Sequence, residues 1–264
     1  MATVQEIYEF INEKAPFSTQ LDFDNAGILV GRGEQQVERI LVALDITEEV
    51  AQEAARLGAQ LVVSHHPVIW GGAKSVTGES VTGRRLLALL EHGTAAICAH
   101  TNLDMAPGGV NDTLAAVLGL TETRFLQEYG TYADGRPYGL GVQGRLSAGP
   151  LSVGEFAAQV KAALGAASVR YEDAGRPVER VAVCGGSGGD LVEQALAAGC
   201  DTLVTADVRY DPFLDAHSMG LNLLDAGHFA TEQVVCPILV DWLQGAFPQV
   251  EVLLSQHKEI YSAI

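Results

Sequence analysis

VERILVALDITEEVAQEAARLGAQLVVS, residues 37–64, is the stretch whose reading decides the fold. RILVALDI (39–46) is a β-suited apolar run, and TEEVAQEAARLG (47–58) has helical periodicity between Thr47 as N-cap and Gly58 as C-terminal stop. The chain then re-enters an apolar run at Leu61. Strand, helix and strand in this order form the unit of a parallel sheet. The same pattern recurs without a gap as VERVAVCGGSGGDLVEQALAAGCDTLVT, residues 178–205, with Val-Glu-Arg opening both copies and a glycine (Gly58, Gly199) ending both helices. HGTAAICAHTNLD (92–104) parallels MGLNLLDAGHFAT (219–231) in the same order. Two matches in sequence point to an internal duplication. The expected fold is α/β, built from two similar halves, each a mixed, mainly parallel sheet flanked by helices.

The remaining elements fit this alternation. A helix is expected over 3–15, a strand at 28–30, helices over 82–93 and 109–120, a strand at 95–101, and a helix and strand at 152–165 and 168–172. Residues 121–150, rich in tyrosine and glycine, read as a junction or a dimer-forming hairpin. The halves are placed at 1–125 and 126–264.

LVVSHHPVIW (61–70) continues the opening stretch. Three β-suited residues deliver His65 and His66, and Pro67 stops the run. Adjacent side chains on a strand point to opposite faces, so one ion rarely takes both histidines; at a strand's end they can serve two neighbouring metals. The plainer reading is a pair of ordinary loop histidines. Position favours chemistry, because open α/β sheets bind ligands at the carboxyl ends of their strands. In the first half those ends carry Asp45, His65-His66 and His100 to Asp104; in the second, the glycines of 185–189, Asp207, and Asp225 to Glu232.

His65, His66 and Asp104 form one candidate set of metal ligands, and His228 with Glu232 a second. Four residues apart on a helix, His228 and Glu232 share a face; Pro237 implies that this helix is kinked or regular only beyond it. Three imidazoles and two carboxylates exceed one tetrahedral site and suit two divalent ions about 3.5–4 Å apart, which lower the pKa of bound water. Nitrogen and oxygen donors fit Zn, Mn, Fe, Co or Ni without choosing among them. His100 reads either as a partner that orients a ligand or as a core histidine, and His92 as a helix C-cap. His217 and His257 read as surface residues. CGGSGGD (184–190) lacks the Lys-Ser/Thr of a phosphate-binding loop and reads as a tight strand–helix turn.

Composition narrows the classes. The chain has 264 residues, 48% hydrophobic and 19% charged, with 16 Lys and Arg against 33 Asp and Glu, a net charge of −17. That acidity argues against a nucleic-acid surface. No apolar run reaches membrane-spanning length, and the opening MATVQEIYEFINEK lacks a basic leader region, so a cytoplasmic protein is expected. Cys98, Cys184, Cys200 and Cys236 are scattered in apolar settings, as reduced core cysteines are.

Together, DNAGILVG (24–31), SHHPVIW (64–70), AHTNLD (99–104) and LLDAGHFATE (223–232) resemble the Nif3-like dinuclear metal-centre proteins, often labelled GTP cyclohydrolase 1 type 2 homologues. The resemblance implies that His65, His66, Asp104, His228 and Glu232 are the metal ligands, and that the two subdomains are intertwined. It implies a homohexameric toroid with its metal sites facing an internal cavity, and no central inserted domain. A metal-dependent hydrolase of a small-molecule substrate is the expected activity, with ring opening of GTP as one form; the alternative is a non-catalytic metal-binding ring in storage, insertion or regulation. TADVRYDPF (205–213) departs from the family pattern. Ala206 stands where a glycine is usual and Asp211 where a histidine is common, which leaves any proton-transfer role there open.

Overall fold

The structure is a computed structural model and describes residues 1–263. In chain order its elements are β1 (Ala2–Thr3), α1 (Val4–Lys14), β2 (Gly27–Val30), β3 (Gln36–Val37), β4 (Arg39–Ala43), α2 (Glu48–Leu57), β5 (Leu61–Ser64), α3 (Val81–Glu91), β6 (Ala95–Cys98), α4 (Thr101–Asp104) and α5 (Val110–Val117). There follow β7 (Leu120–Thr131), β8 (Pro137–Leu146), α6 (Val153–Leu164), β9 (Arg170–Glu172), β10 (Arg180–Ser187), α7 (Val192–Ala197), β11 (Thr202–Ala206), α8 (Tyr210–Met219), β12 (Asn222–Asp225), α9 (His228–Glu232), α10 (Val235–Ala246) and β13 (Glu251–Leu254). No helix among the described residues is long and apolar enough to cross a membrane.

Local chemistry sets the element ends. Thr47 caps α2 by accepting from the Val50 N–H, and Gly58 ends it in the left-handed region at φ 65°. Thr3 and Glu6 form a reciprocal capping box on α1, as do Ser152 and Glu155 on α6. His92 closes α3, its Nδ1–H donating to the Ala88 carbonyl at 2.8 Å. The tyrosine- and glycine-rich segment is an ordered hairpin, β7 with β8, in which Tyr132 and Tyr138 stack with ring centroids 4.8 Å apart.

The chain divides into two compact units, Met1–Leu103 with Cys236–Lys258, and Asp104–Val235 with the residues from Glu259 onward. Neither follows a simple halving of the sequence. The chain leaves the first unit at Leu103 and returns to it through α10 and β13, while position 125 lies inside β7. The hydrophobic pattern breaks near 121, but strand pairing carries that segment into the second unit.

The first unit holds a five-stranded sheet in the order β13-β4-β5-β6-β2, parallel except for β2. The second holds a six-stranded sheet in the order β7-β8-β10-β11-β12-β9, whose centre, β10-β11-β12, is parallel. In each, the last of the parallel strands pairs with an antiparallel edge strand, β2 on β6 and β9 on β12. Register agrees too: Ile40 faces Leu61 and Leu61 faces Ala95, while Val181 faces Thr202 and Thr202 faces Asn222. These pairs occupy equivalent positions of the repeat, the arrangement that duplicated halves would share.

Strands β5, β6, β11 and β12 are buried throughout. That matches parallel strands covered on both faces. Leu41, Val62, Ala96 and α2's Val50 and Ala54 belong to the first unit's core. Phe156 of α6 packs with Val181, Val204 and Leu224 in the second. Phe156→Ala is expected to cost about 3–5 kcal/mol through the cavity it leaves, read from denaturant unfolding.

Candidate metal centre

In the first unit, parallel pairing continues past the end of β5. The N–H groups of His65 and His66 donate to the carbonyls of Ala43 and Leu44 at 3.3 and 2.9 Å, which ties the bend before Pro67 to the end of β4. Their rings diverge only moderately, with centroids 5.0 Å apart. His100, just beyond β6, joins them, and the three offer ring nitrogens that all lie within 4.8 Å of one another, close enough to hold a metal ion.

Each of these rings has its Nδ1 committed. His65, fully buried, donates to the Ala99 carbonyl at 2.8 Å. His66 donates to Asp45 and His100 to Asp24, each at 2.8 Å. Carbonyls and ionised carboxylates only accept, so the proton belongs on Nδ1 and the Nε2 lone pair of the neutral ring is the one left to ligate. Asp24 lies completely buried beneath His100. Burial works to raise its carboxyl, but hydrogen bonds from His100 and from the Thr101 hydroxyl and N–H outweigh this and bring it to about 2.

In the second unit, α9 is a separate five-residue helix, and Pro237 falls in the first turn of the following α10. His228 opens α9 with its Nδ1–H donated to Asp207 at 2.7 Å, and its Nε2 lies 3.0 Å from Glu232 Oε2. An imidazole with a carboxylate at each nitrogen is either doubly protonated or shares a cation. Asp207 takes a left-handed backbone conformation (φ 52°), rare outside glycine, asparagine and aspartate. The glycines of CGGSGGD find their reason here. Gly186, at φ 62°, lies so close beneath Glu232 that an added Cβ would stand 2.1 Å from Oε1. Its neighbour Gly185 donates its N–H to Asn111, whose side chain in turn donates to the Asp104 carbonyl. Asp104 and Glu232 both lie near the buried Cys184 thiol, whose ionisation is pushed up by burial first and then by these two acids.

The structure therefore brings His65 and His66 together in one unit, and Asp104, His228 and Glu232 in the other. His100 is neither buried in the core nor shown orienting a neighbour; it presents a ring nitrogen of its own. Of the two surface expectations, that for His217 holds and that for His257 needs correction. His257 is only 11% exposed, with Nε2 3.5 Å from Asp45 Oδ2. His217 is exposed but pairs with Glu172 at 2.6 Å across elements that sequence spacing did not connect. Asp211 is exposed in the first turn of α8.

The acids that hold the rings carry no role in the sequence reading, yet a signal exists. Asp45 and Asp207 each lie 21 residues before the histidine they hold, at the end of the neighbouring parallel strand.

Two outcomes test this geometry. Gly186→Ala should displace Glu232 and weaken divalent-metal uptake by about tenfold or more, with far-UV circular dichroism unchanged. Asp24→Ala should lose about 2 kcal/mol at neutral pH. Because the folded pKa of Asp24 is depressed, its contribution is complete above the ordinary value of 3.8 and fades as pH falls to about 2. Unfolding curves for both proteins across that range should converge.

The sequence pattern of the Duf34/NIF3 (NGG1p interacting factor 3) family matches residues 2–260. A protein of Clostridium perfringens named "GTP cyclohydrolase 1 type 2 homolog" is 34% identical over 90% of this chain and 88% of its own. A Streptomyces coelicolor protein of the same name is 38% identical over 90% and 84%. The crystal structure of a Bacillus cereus protein related to NIF3 superposes with a TM-score of 0.93 at 25% identity, covering 100% of this chain and 99% of that one. The chain belongs to the Duf34/NIF3 family.

Proposed function

We propose that the protein is a metal-dependent hydrolase whose two divalent ions are held by His65, His66, Asp104, His228 and Glu232. The observation that carries this reading is the shared state of the histidines: His65, His66 and His228 all have Nδ1 tied to a fixed acceptor. Histidines that serve as metal ligands are held in this way. The donor set fits the ions the family resemblance implies, being oxygen and nitrogen throughout, with Glu232 almost fully buried. When bound, such ions supply Lewis acidity and activate water near neutral pH.

The chain's own residues do the positioning. Asp45 and Asp207 keep the rings of His66 and His228 in the required tautomer, and Gly186 leaves room for Glu232. Beside Asp207 lies a cavity of about 200 Å³ lined also by Arg170, Asp225, Gly227, Glu259 and Tyr261. The Tyr261 hydroxyl donates to Glu259, which with burial and nearby acids pushes its phenol up to about 12, so it stays a proton donor. A small polar group of a substrate fits this space. Ring opening of GTP, the activity in the relatives' name, is the specific form this reading takes. The cavity is smaller than the ~300–1,000 Å³ of ordinary ligand sites, which favours as second reading a non-catalytic metal-binding ring acting in storage, insertion or regulation. Assembly as a homohexamer and a cytoplasmic location belong to the proposal; the burial of Cys98, Cys184, Cys200 and Cys236 suits reduced core cysteines.

Metal analysis of protein purified without chelators or an affinity tag should give close to two ions per chain for the wild type and well under one for Glu232→Ala. A substrate screen should start with GTP, other cyclic amides and phosphoesters. Turnover that disappears in Glu232→Ala supports the hydrolase; full metal loading with no turnover favours the second reading. A wild type that neither carries nor takes up metal overturns both.

A further inference from the structure

We infer that His257 is a positioning residue for the metal ligand His66, acting through a carboxylate that the two histidines share; this rests on the metal-centre reading above. Asp45 accepts from His66 Nδ1 on one oxygen at 2.8 Å and faces His257 Nε2 with the other at 3.5 Å.

The anchors of the neighbouring rings explain why a second histidine is needed. His65 leans on a backbone carbonyl fixed by the sheet. His100 leans on Asp24, which is fully buried and pinned by the N–H of Thr101 at 3.0 Å and by its hydroxyl. Asp45 is different: it follows β4 in a loop and its side chain is 37% exposed. A half-exposed aspartate samples several rotamers in water, and each departure releases the ring it should hold. With His257 on its second oxygen, the carboxylate is fixed at both ends.

The segment bearing His257 is itself built to be rigid. After β13, the Ser255 N–H donates to the Val42 carbonyl at 2.8 Å, which ties the segment to β4. Glu53 of α2, an acid only 8% exposed, accepts from the Ser255 hydroxyl and from the Gln256 N–H at 3.1 Å. The His257 N–H then donates to Ser255 Oγ at 3.1 Å. A buried charge costs stability unless it is fully bonded. Here its bonding fixes the turn that presents His257. Glu49, one turn earlier on α2, adds a further negative charge within reach of the ring.

On the metal-centre reading His65 and His66 serve two neighbouring ions, and because His65 does not depend on Asp45 the effect belongs to one metal position only. Cobalt(II) titration, followed by ligand-field absorption, separates the two. For His257→Leu, one equivalent should bind about tenfold more weakly with its absorption band shifted, while the other titrates as in the wild type. His257→Gln keeps an N–H donor and should recover most of that loss. The inference is overturned if His257→Leu titrates like the wild type, if both equivalents weaken together, or if His257→Gln is no better than His257→Leu. A wild type that binds no cobalt overturns the metal-centre reading and this inference with it. A wild type that binds two equivalents while His257→Leu is unaltered leaves that reading standing and removes only the inference.

Discussion

One constraint governs the candidate site: each of its histidines gives its Nδ1 proton to an acceptor held by the fold. The requirement is chemical, since a neutral imidazole carries one proton and one lone pair, and fixing the first fixes the second. The fold meets it with parallel strands. Where such strands end side by side, the acceptor on one strand stands next to the histidine on the other. Asp45 follows β4 beside His66, Ala99 follows β6 beside His65, and Asp207 follows β11 near His228 beyond β12. Burial of the strands supports this, because covered parallel sheets cannot slip register without exposing their apolar residues.

The acidic side of the site depends on close backbone approach. Glu232 sits almost without exposure over Gly186, where even a methyl group would collide. The same glycine donates its N–H to Thr231 Oγ at 3.0 Å, and its carbonyl accepts from Thr205 at 3.0 Å. α9 is thereby tied to the ends of β10 and β11. A helix of five residues has little stability of its own; here the strand ends hold it.

Much of the fold was legible because its signals are local. Thr47 and Gly58 bound α2, and apolar runs bound β4 and β5, within a few residues of what they control. The recurring strand–helix–strand pattern is local in the same way, and its equivalent strand pairs share one register. Site residues were legible in part. His65-His66 announces itself by adjacency and by Pro67, and His228 with Glu232 by helical spacing. Their partners were not, because pairing across strands leaves no local trace. Asp24 reaches His100 across 76 residues, and His257 reaches Asp45 from the far end of the chain. The division into compact units is hidden for a related reason: the chain returns to its first unit through α10 and β13, and a linear change of composition cannot show a return.

The adjacent histidines also differ in a way that bears on chemistry. His65 donates to a neutral carbonyl, His66 to a carboxylate. A negative acceptor on Nδ1 raises the basicity of Nε2, while a carbonyl does so less. The two rings are therefore inequivalent donors, that of His66 being the more electron-rich. The source of that difference is the strand order, which sets His65 and His66 beyond β5 between Asp45, after β4, and Ala99, after β6.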